Sequence, residues 1–180
     1  MPLRRDVDAI ARSLTTIAEP IVLGWYGHGH DGKGHTVSAL PSELRDLIES
    51  GPMAHLSTIN PDGSPQVTVI WIGLDGDDLV STHMRDNIKL KNIRRDPRVA
   101  LSFDVPREPG VWINPYAVIY ARAAVEPSPR IWVLMTRHAK VYVSPDARVP
   151  VPEESEPGFI VRYSITRIGG IGPWATSPAL

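Results

Sequence analysis

Residues 55–82 read HLSTINPDGSPQVTVIWIGLDGDDLVST. Three runs of β-branched and aromatic residues are separated by two turn signals, the pattern of an antiparallel meander. The first run, His55–Ile59, ends at Asn60-Pro61-Asp62-Gly63. Proline presets a negative φ there and glycine accepts a positive one, so the chain reverses. The second run, Gln66–Leu74, ends at Asp75-Gly76, and Leu79–Thr82 makes the third strand.

Upstream of the meander, Ser42 is placed to cap a helix with apolar positions Leu44, Leu47 and Ile48, and Gly51 lies just past its end. Downstream, a short helix starts at Asp86 or Asn87 and stops before Pro97. Arg98–Phe103 and Tyr116–Val125 read as strands. Ser128-Pro129 offers a cap and a favoured first helical residue. In the helix that follows, Ile131, Leu134, Met135, His138 and Tyr142 share one face. Pro145–Pro157 is a proline-rich acidic loop, and Phe159–Ile168 reads as the last strand. Six strands in meander order with three short helices predict a mainly β (α+β) domain, a small antiparallel barrel rather than a doubly wound sheet. No GxGxxG sits between a strand and a helix, since Gly27–Gly32 (GHGHDG) falls in a glycine-rich loop, and no Walker loop is present.

The first forty residues differ in kind. Ile10, Leu14 and Ile17 can share a short helical face, but Gly24–Gly34 reads GWYGHGHDGKG, loop chemistry with five glycines. We read 1–40 as an irregular extension and 41–180 as the domain. His28, His30, Asp31 and His35 are metal-ligand types, but nothing in a glycine-rich loop preorganises them, so no metal site is assigned.

The chain has 180 residues, 42% hydrophobic and 22% charged, enough for one domain with its own core. A net charge of −1 and a pI near 6.6 lack the basic footprint of a nucleic-acid binder. The absence of cysteine removes disulfides, thiol nucleophiles and thiolate metal sites, and fits a cytoplasmic setting. No apolar run is long enough to span a bilayer, and the start does not have the form of a signal peptide.

Two stretches carry a resemblance. Asp62-Gly63-Ser64-Pro65-Gln66-Val67-Thr68-Val69-Ile70-Trp71 and Asn87–Val99 (NIKLKNIRRDPRV) together resemble the paired signature of the pyridoxamine-phosphate-oxidase-like split β-barrels. In that signature a "DGxPxxxxxW" hairpin strand precedes a "KxxNLxxDPRV" helix and strand. The tail Arg167–Trp174 (RIGGIGPW) resembles an actinobacterial subgroup, flavin/deazaflavin oxidoreductase B, many of whose members use coenzyme F420. The resemblance spans about Pro41 to Trp174. It implies a six-stranded split barrel, a homodimer, and coenzyme F420 or, alternatively, FMN as cofactor.

The resemblance also implies site residues. Gln66, Val67, Thr68, Val69 and Ile70 lie on the strand that runs along the cofactor, and Thr82 and His83 end the next one. Lys89 takes the cofactor phosphate. Its place in the first turn of a helix agrees, because unpaired backbone N–H groups and the helix dipole favour an anion there. Tyr116 falls in a segment that reaches the cofactor of the other subunit, Arg167 lies near the ring, and Trp174 covers either the cofactor or the dimer interface. Asn87 stands where some relatives carry a second basic residue, leaving Arg85 or Lys91 to complete the phosphate site. Ala121 stands where a glycine is common.

The implied activity is hydride transfer between the deazaflavin and an unsaturated or quinone-like small molecule. The cofactor carries this chemistry, so no residue is assigned a catalytic role. The alternatives are an FMN-dependent oxidase or reductase, or a non-catalytic flavin or heme binder on the same fold. Deleting Met1–Leu40 is expected to leave a domain that melts cooperatively. Loss of a cooperative transition in calorimetry would show that the extension is part of the fold.

Overall fold

The computed structural model describes residues 40–107, 109–149 and 158–175. The glycine-rich extension with its histidines lies outside these residues, as does most of the acidic part of the loop before the last strand. Three helices, α1 (Ser42–Glu49), α2 (Ile88–Arg95) and α3 (Ile131–Tyr142), accompany seven strands. The strands are β1 (Ala54–Ile59), β2 (Pro65–Ile70), β3 (Gly73–Asp75), β4 (Asp78–His83), β5 (Arg98–Asp104), β6 (Tyr116–Pro127) and β7 (Phe159–Ile171). They form one sheet in the order β2-β1-β5-β6-β7-β4-β3, with every neighbouring pair antiparallel. No helix among them is long and apolar enough to cross a membrane.

This order forces curvature. β2 and β3 are opposite edges of the sheet, yet only Trp71 and Ile72 separate them. Three Cα steps span at most about 11 Å, so the sheet must roll until its edges nearly meet. The edges are not hydrogen-bonded to each other, which makes the barrel split. The inner face follows period two: Ala54 and Leu56 of β1, Val99, Leu101 and Phe103 of β5, and Ala117, Ile119, Ala121 and Ala123 of β6 are all buried. Leu44, Leu47 and Ile48 of α1 and Leu90 and Ile93 of α2 complete that core. Leu40, just before α1, also packs against it. Val80, Leu134 and Ile160 form a second cluster.

The sequence reading counts six strands because it runs Gln66–Leu74 as one. The strand breaks at Trp71-Ile72, where Tyr142 of α3 replaces the ladder. Its hydroxyl accepts the Ile72 N–H at 3.1 Å and lies 2.9 Å from the carbonyl oxygens of Ile72 and Pro52, to one of which it donates. The Tyr142 ring stacks on Trp71 with centroids 5.2 Å apart and an interplanar angle of 4°. Two expected caps also shift. Pro41 caps α1 without a side-chain bond, and Ser42 bonds Glu43 instead. Ser128 accepts the Arg130 N–H at 3.2 Å, one residue ahead of α3.

A buried polar cluster ties α2 to the first hairpin. Asn92, 2% exposed, donates to Thr58 Oγ1 at 3.2 Å and to Asn60 Oδ1 at 3.0 Å. Thr58 Oγ1 in turn donates to Gln66 Oε1 at 2.7 Å. At the far end, β7 extends through Gly169-Gly170. A Cβ on Gly170, at φ 108°, would collide with the Tyr116 carbonyl oxygen. That oxygen accepts the indole N–H of Trp174 at 3.1 Å, and the ring, 3% exposed, joins the core.

Two imidazoles are buried between β4 and its neighbours. His83 Nε2 lies 2.9 Å from Ser81 Oγ, and His138 Nδ1 lies 3.3 Å from Thr82 Oγ1. Burial is the main cause that pushes both down to about 4, from 6.5. Repulsion from Lys89, and from His138 while it is protonated, adds to it for His83, as repulsion from Arg137 does for His138. Between these values the unfolded state holds more protons than the folded one. Stability is therefore full above about pH 6.5 and falls as pH drops toward 4. The loss is on the order of 3 kcal/mol for each imidazole at the acid end. Urea unfolding at pH 7.5, 6, 5 and 4 measures this. A midpoint that stays level down to pH 5, where carboxylates remain ionised, would show that the two rings are not buried neutral.

Candidate functional site

A cleft of about 500 Å³ opens where the ends of β2 and β4 converge beside the start of α2. One wall is apolar: Met53, Val69, Ile70 and Trp71, with Met84 and Met135 opposite. The other carries polar groups, Thr82, His83, Arg85, Asn87 and Lys89. A mostly apolar hollow with a few convergent polar groups is the usual form of a small-molecule site. A smaller groove of about 350 Å³ on α3 draws all its lining from that helix, including Arg137 and Lys140.

The polar wall is built for an anion. Asn87 is the N-cap residue of α2 but makes no side-chain cap bond, and its Oδ1 is buried without a partner among the described residues. The first turn of α2 thus lacks the side-chain acceptor that commonly satisfies it. Lys89, half-buried in that turn, has no ion pair among the described residues, and burial lowers its ammonium pKa. A desolvated cation beside a helix N-terminus gains from a bound anion more than an exposed lysine would. Arg85 stands on the same rim, whereas Lys91 is exposed and does not line the cleft.

The neutral part of that wall is His83, 7% exposed. Its Nε2 faces Ser81 Oγ, which lies 2.7 Å from Tyr163 Oη in the core. Thr68 of β2, on the face opposite Val69, does not line the cleft, and its Oγ1 is buried without a partner among the described residues. A desolvated cation and an open helix terminus fit a phosphate-bearing ligand, and the Asn87 amide oxygen, an acceptor, suits a donor elsewhere on it.

Of the residues named from sequence, Val69, Ile70, Thr82, His83 and Lys89 line the cleft together. Gln66 is held by Thr58, and Val67 lies 61% exposed on the outer side of β2. Tyr116, Arg167 and Trp174 do not line the cleft of their own chain. Arg167 stacks its guanidinium on Tyr120, 3.9 Å from the ring centroid, and Trp174 is a core plug. Met53, Met84 and Met135 were missed. Met53 and Met84 sit outside any periodic run, and Met135 falls on the helix face that reads as core.

Residues 40–169 match the family model described as pyridoxamine 5'-phosphate oxidase. Among solved structures, one named F420 reductase superposes with a TM-score of 0.59 at 27% identity, covering 72% of this chain and 98% of its own. Rv2991 from Mycobacterium tuberculosis superposes with a TM-score of 0.57 at 19% identity, covering 77% and 87%. HupZ from Group A Streptococcus gives 0.54 at 14%, covering 77% and 98%. The last two likenesses speak for the fold alone. No curated protein matches the chain significantly. The rolled antiparallel sheet, the cleft at its split and the family match over most of the chain lead to one conclusion: this protein belongs to the pyridoxamine 5'-phosphate oxidase family.

Proposed function

We propose that the protein is a homodimeric, coenzyme F420-dependent oxidoreductase that moves a hydride between the deazaflavin and an unsaturated or quinone-like small molecule. The observation that carries this reading is Lys89, a half-buried cation without an ion pair among the described residues, at the start of α2 and inside the cleft. The F420 reductase likeness, at 27% identity over nearly all of that chain, favours the deazaflavin over FMN.

Lys89, Arg85 and the first N–H groups of α2 would hold the cofactor phosphate. Val69, Ile70 and Trp71 supply an apolar wall against which a planar ring can lie. Thr82 and His83 supply polar contacts at its edge. When bound, a deazaflavin supplies two-electron hydride chemistry, and the chain's task is to orient the reacting faces and exclude water. This explains a cleft without a nucleophile–base pair.

Dimerisation rests on the outer side of β2. This edge strand exposes Val67 and Val69 at 61% and 53%, next to Met53, Met84 and Ile88, each about half exposed or more. An unpaired apolar edge calls for a cover. A partner subunit would cover it and bring its Tyr116 segment toward the cleft.

Titration of the protein with coenzyme F420 and with FMN, followed by fluorescence, distinguishes the readings. Tight F420 binding with weak FMN binding is expected. The reverse makes this an FMN enzyme, and binding of neither removes the cofactor reading. Lys89→Ala should weaken binding about ten- to a hundredfold, ~1.5–3 kcal/mol for a charge-assisted contact. Unchanged affinity would take Lys89 out of the site.

Sedimentation velocity tests the assembly. Wild type should run as a dimer and Val67→Asp as a folded monomer. A monomeric wild type, or a variant that stays dimeric, would place the interface elsewhere or nowhere.

A further inference from the structure

Three polar atoms run in line from the core to the cleft: Tyr163 Oη, Ser81 Oγ at 2.7 Å, then His83 Nε2 at 2.9 Å. Ser81 and His83 are two residues apart on β4 and so share a face, and Tyr163 reaches them from the neighbouring β7. Ser81 is 0% exposed and Tyr163 is 5% exposed. We infer that Ser81 is a positioning residue: backed by Tyr163, it holds the imidazole of His83 in its Nδ1–H form, so that the end of β4 offers the cleft an uncharged hydrogen-bond donor.

The direction of the chain follows from counting protons. In one arrangement Tyr163 donates to Ser81, and Ser81 donates to an unprotonated Nε2. Both hydroxyl hydrogens are then used, and the ring hydrogen sits on Nδ1. In the reverse arrangement Nε2–H donates to Ser81 and Ser81 donates to Tyr163. The phenol hydrogen is then left in the core, where no other partner of Tyr163 Oη exists among the described residues. Leaving a buried donor unpaired costs its whole desolvation, so the first arrangement wins. Tyr163 stays a phenol, since burial drives its pKa far up.

The outward nitrogen is the one a ligand meets. His83 lines the cleft, Nδ1 has no protein partner among the described residues, and it is not among the buried orphaned atoms. Burial, helped by Lys89, keeps the ring neutral at pH 7. The cleft thus pairs a cation, Lys89, with a neutral donor. The donor selects a lone-pair acceptor, such as a heterocyclic carbonyl oxygen or ring nitrogen, and disfavours an N–H at the same place. This last step rests on the cofactor reading above; the tautomer does not.

Long-range ¹H–¹⁵N correlation spectra of ¹⁵N-histidine-labelled protein at pH 7, with His83→Asn to assign the signal, read the tautomer directly. The wild-type ring is expected as Nδ1–H with Nε2 an acceptor. Ser81→Ala should bring in the Nε2–H form and raise the Kd for F420, or for FMN if that is what the wild type binds, about three- to tenfold. A wild-type ring in the Nε2–H form overturns the inference, even if the variant does not fold. So does an Nδ1–H ring that Ser81→Ala leaves unchanged. Failure of the wild type to bind either cofactor would remove the proposed function, while the tautomer in the ligand-free protein would still decide the role of Ser81.

Discussion

Everything at the cleft depends on a two-residue bridge between opposite edges of one sheet. Trp71 and Ile72 carry the chain from β2 to β3, and the sheet has to roll to permit it. The bridge cannot use the ladder for its own polar groups. Tyr142 takes the ladder's place, its one hydroxyl accepting the Ile72 N–H and donating to the carbonyl of Ile72 or Pro52 while its ring stacks on Trp71. Buried backbone groups must be paired somewhere, and here a helix side chain does what a neighbouring strand would otherwise do. The split that results is where the ends of β2 and β4 face each other, and the cleft lies there.

The cleft's polarity is maintained against a cost. Lys89 is partly desolvated, Asn87 Oδ1 is buried without a partner among the described residues, and the His83 imidazole is held neutral. Each feature is unfavourable in the isolated chain. Their concentration near one opening, while most other buried polar groups are satisfied, is how a preorganised binding site differs from a core. Asn92, Thr58 and Gln66 show the contrast: equally polar, close by, and bonded to one another. That cluster makes the β1–β2 hairpin and α2 a single rigid wall, so the groups facing the cleft keep their spacing.

Much of this was legible. The turns at Asn60–Gly63 and Asp75-Gly76, the buried face of α3 and the short helix before Pro97 follow from local chemistry and periodicity, which a linear chain displays openly. The family resemblance pointed to Lys89, within the Asn87–Val99 stretch, and to Thr82 and His83 at the end of the next strand, and all three line the cleft. Two features misled. Gln66–Leu74 is uniformly β-prone, so nothing in its composition marks the break after Ile70. Trp174, read from the resemblance as a cover for the cofactor or the dimer interface, is buried in the core of its own chain. Its burial depends on Gly170 and Gly172, which let the tail fold the indole back onto the Tyr116 carbonyl.

By itself the sequence determined the three helices, all the strands except for the break after Ile70, the family signature and the cation at the start of α2, because these rest on side-chain period, turn stereochemistry and helix-end electrostatics within a few residues. The tertiary structure alone decided that β2 and β3 become facing edges, that Arg85 rather than Lys91 joins Lys89, and that Ser81 and Tyr163 stand behind His83. Those relations join residues up to 82 positions apart. They exist only once distant strands have paired and the sheet has rolled, and no local preference encodes which side chains that assembly brings together.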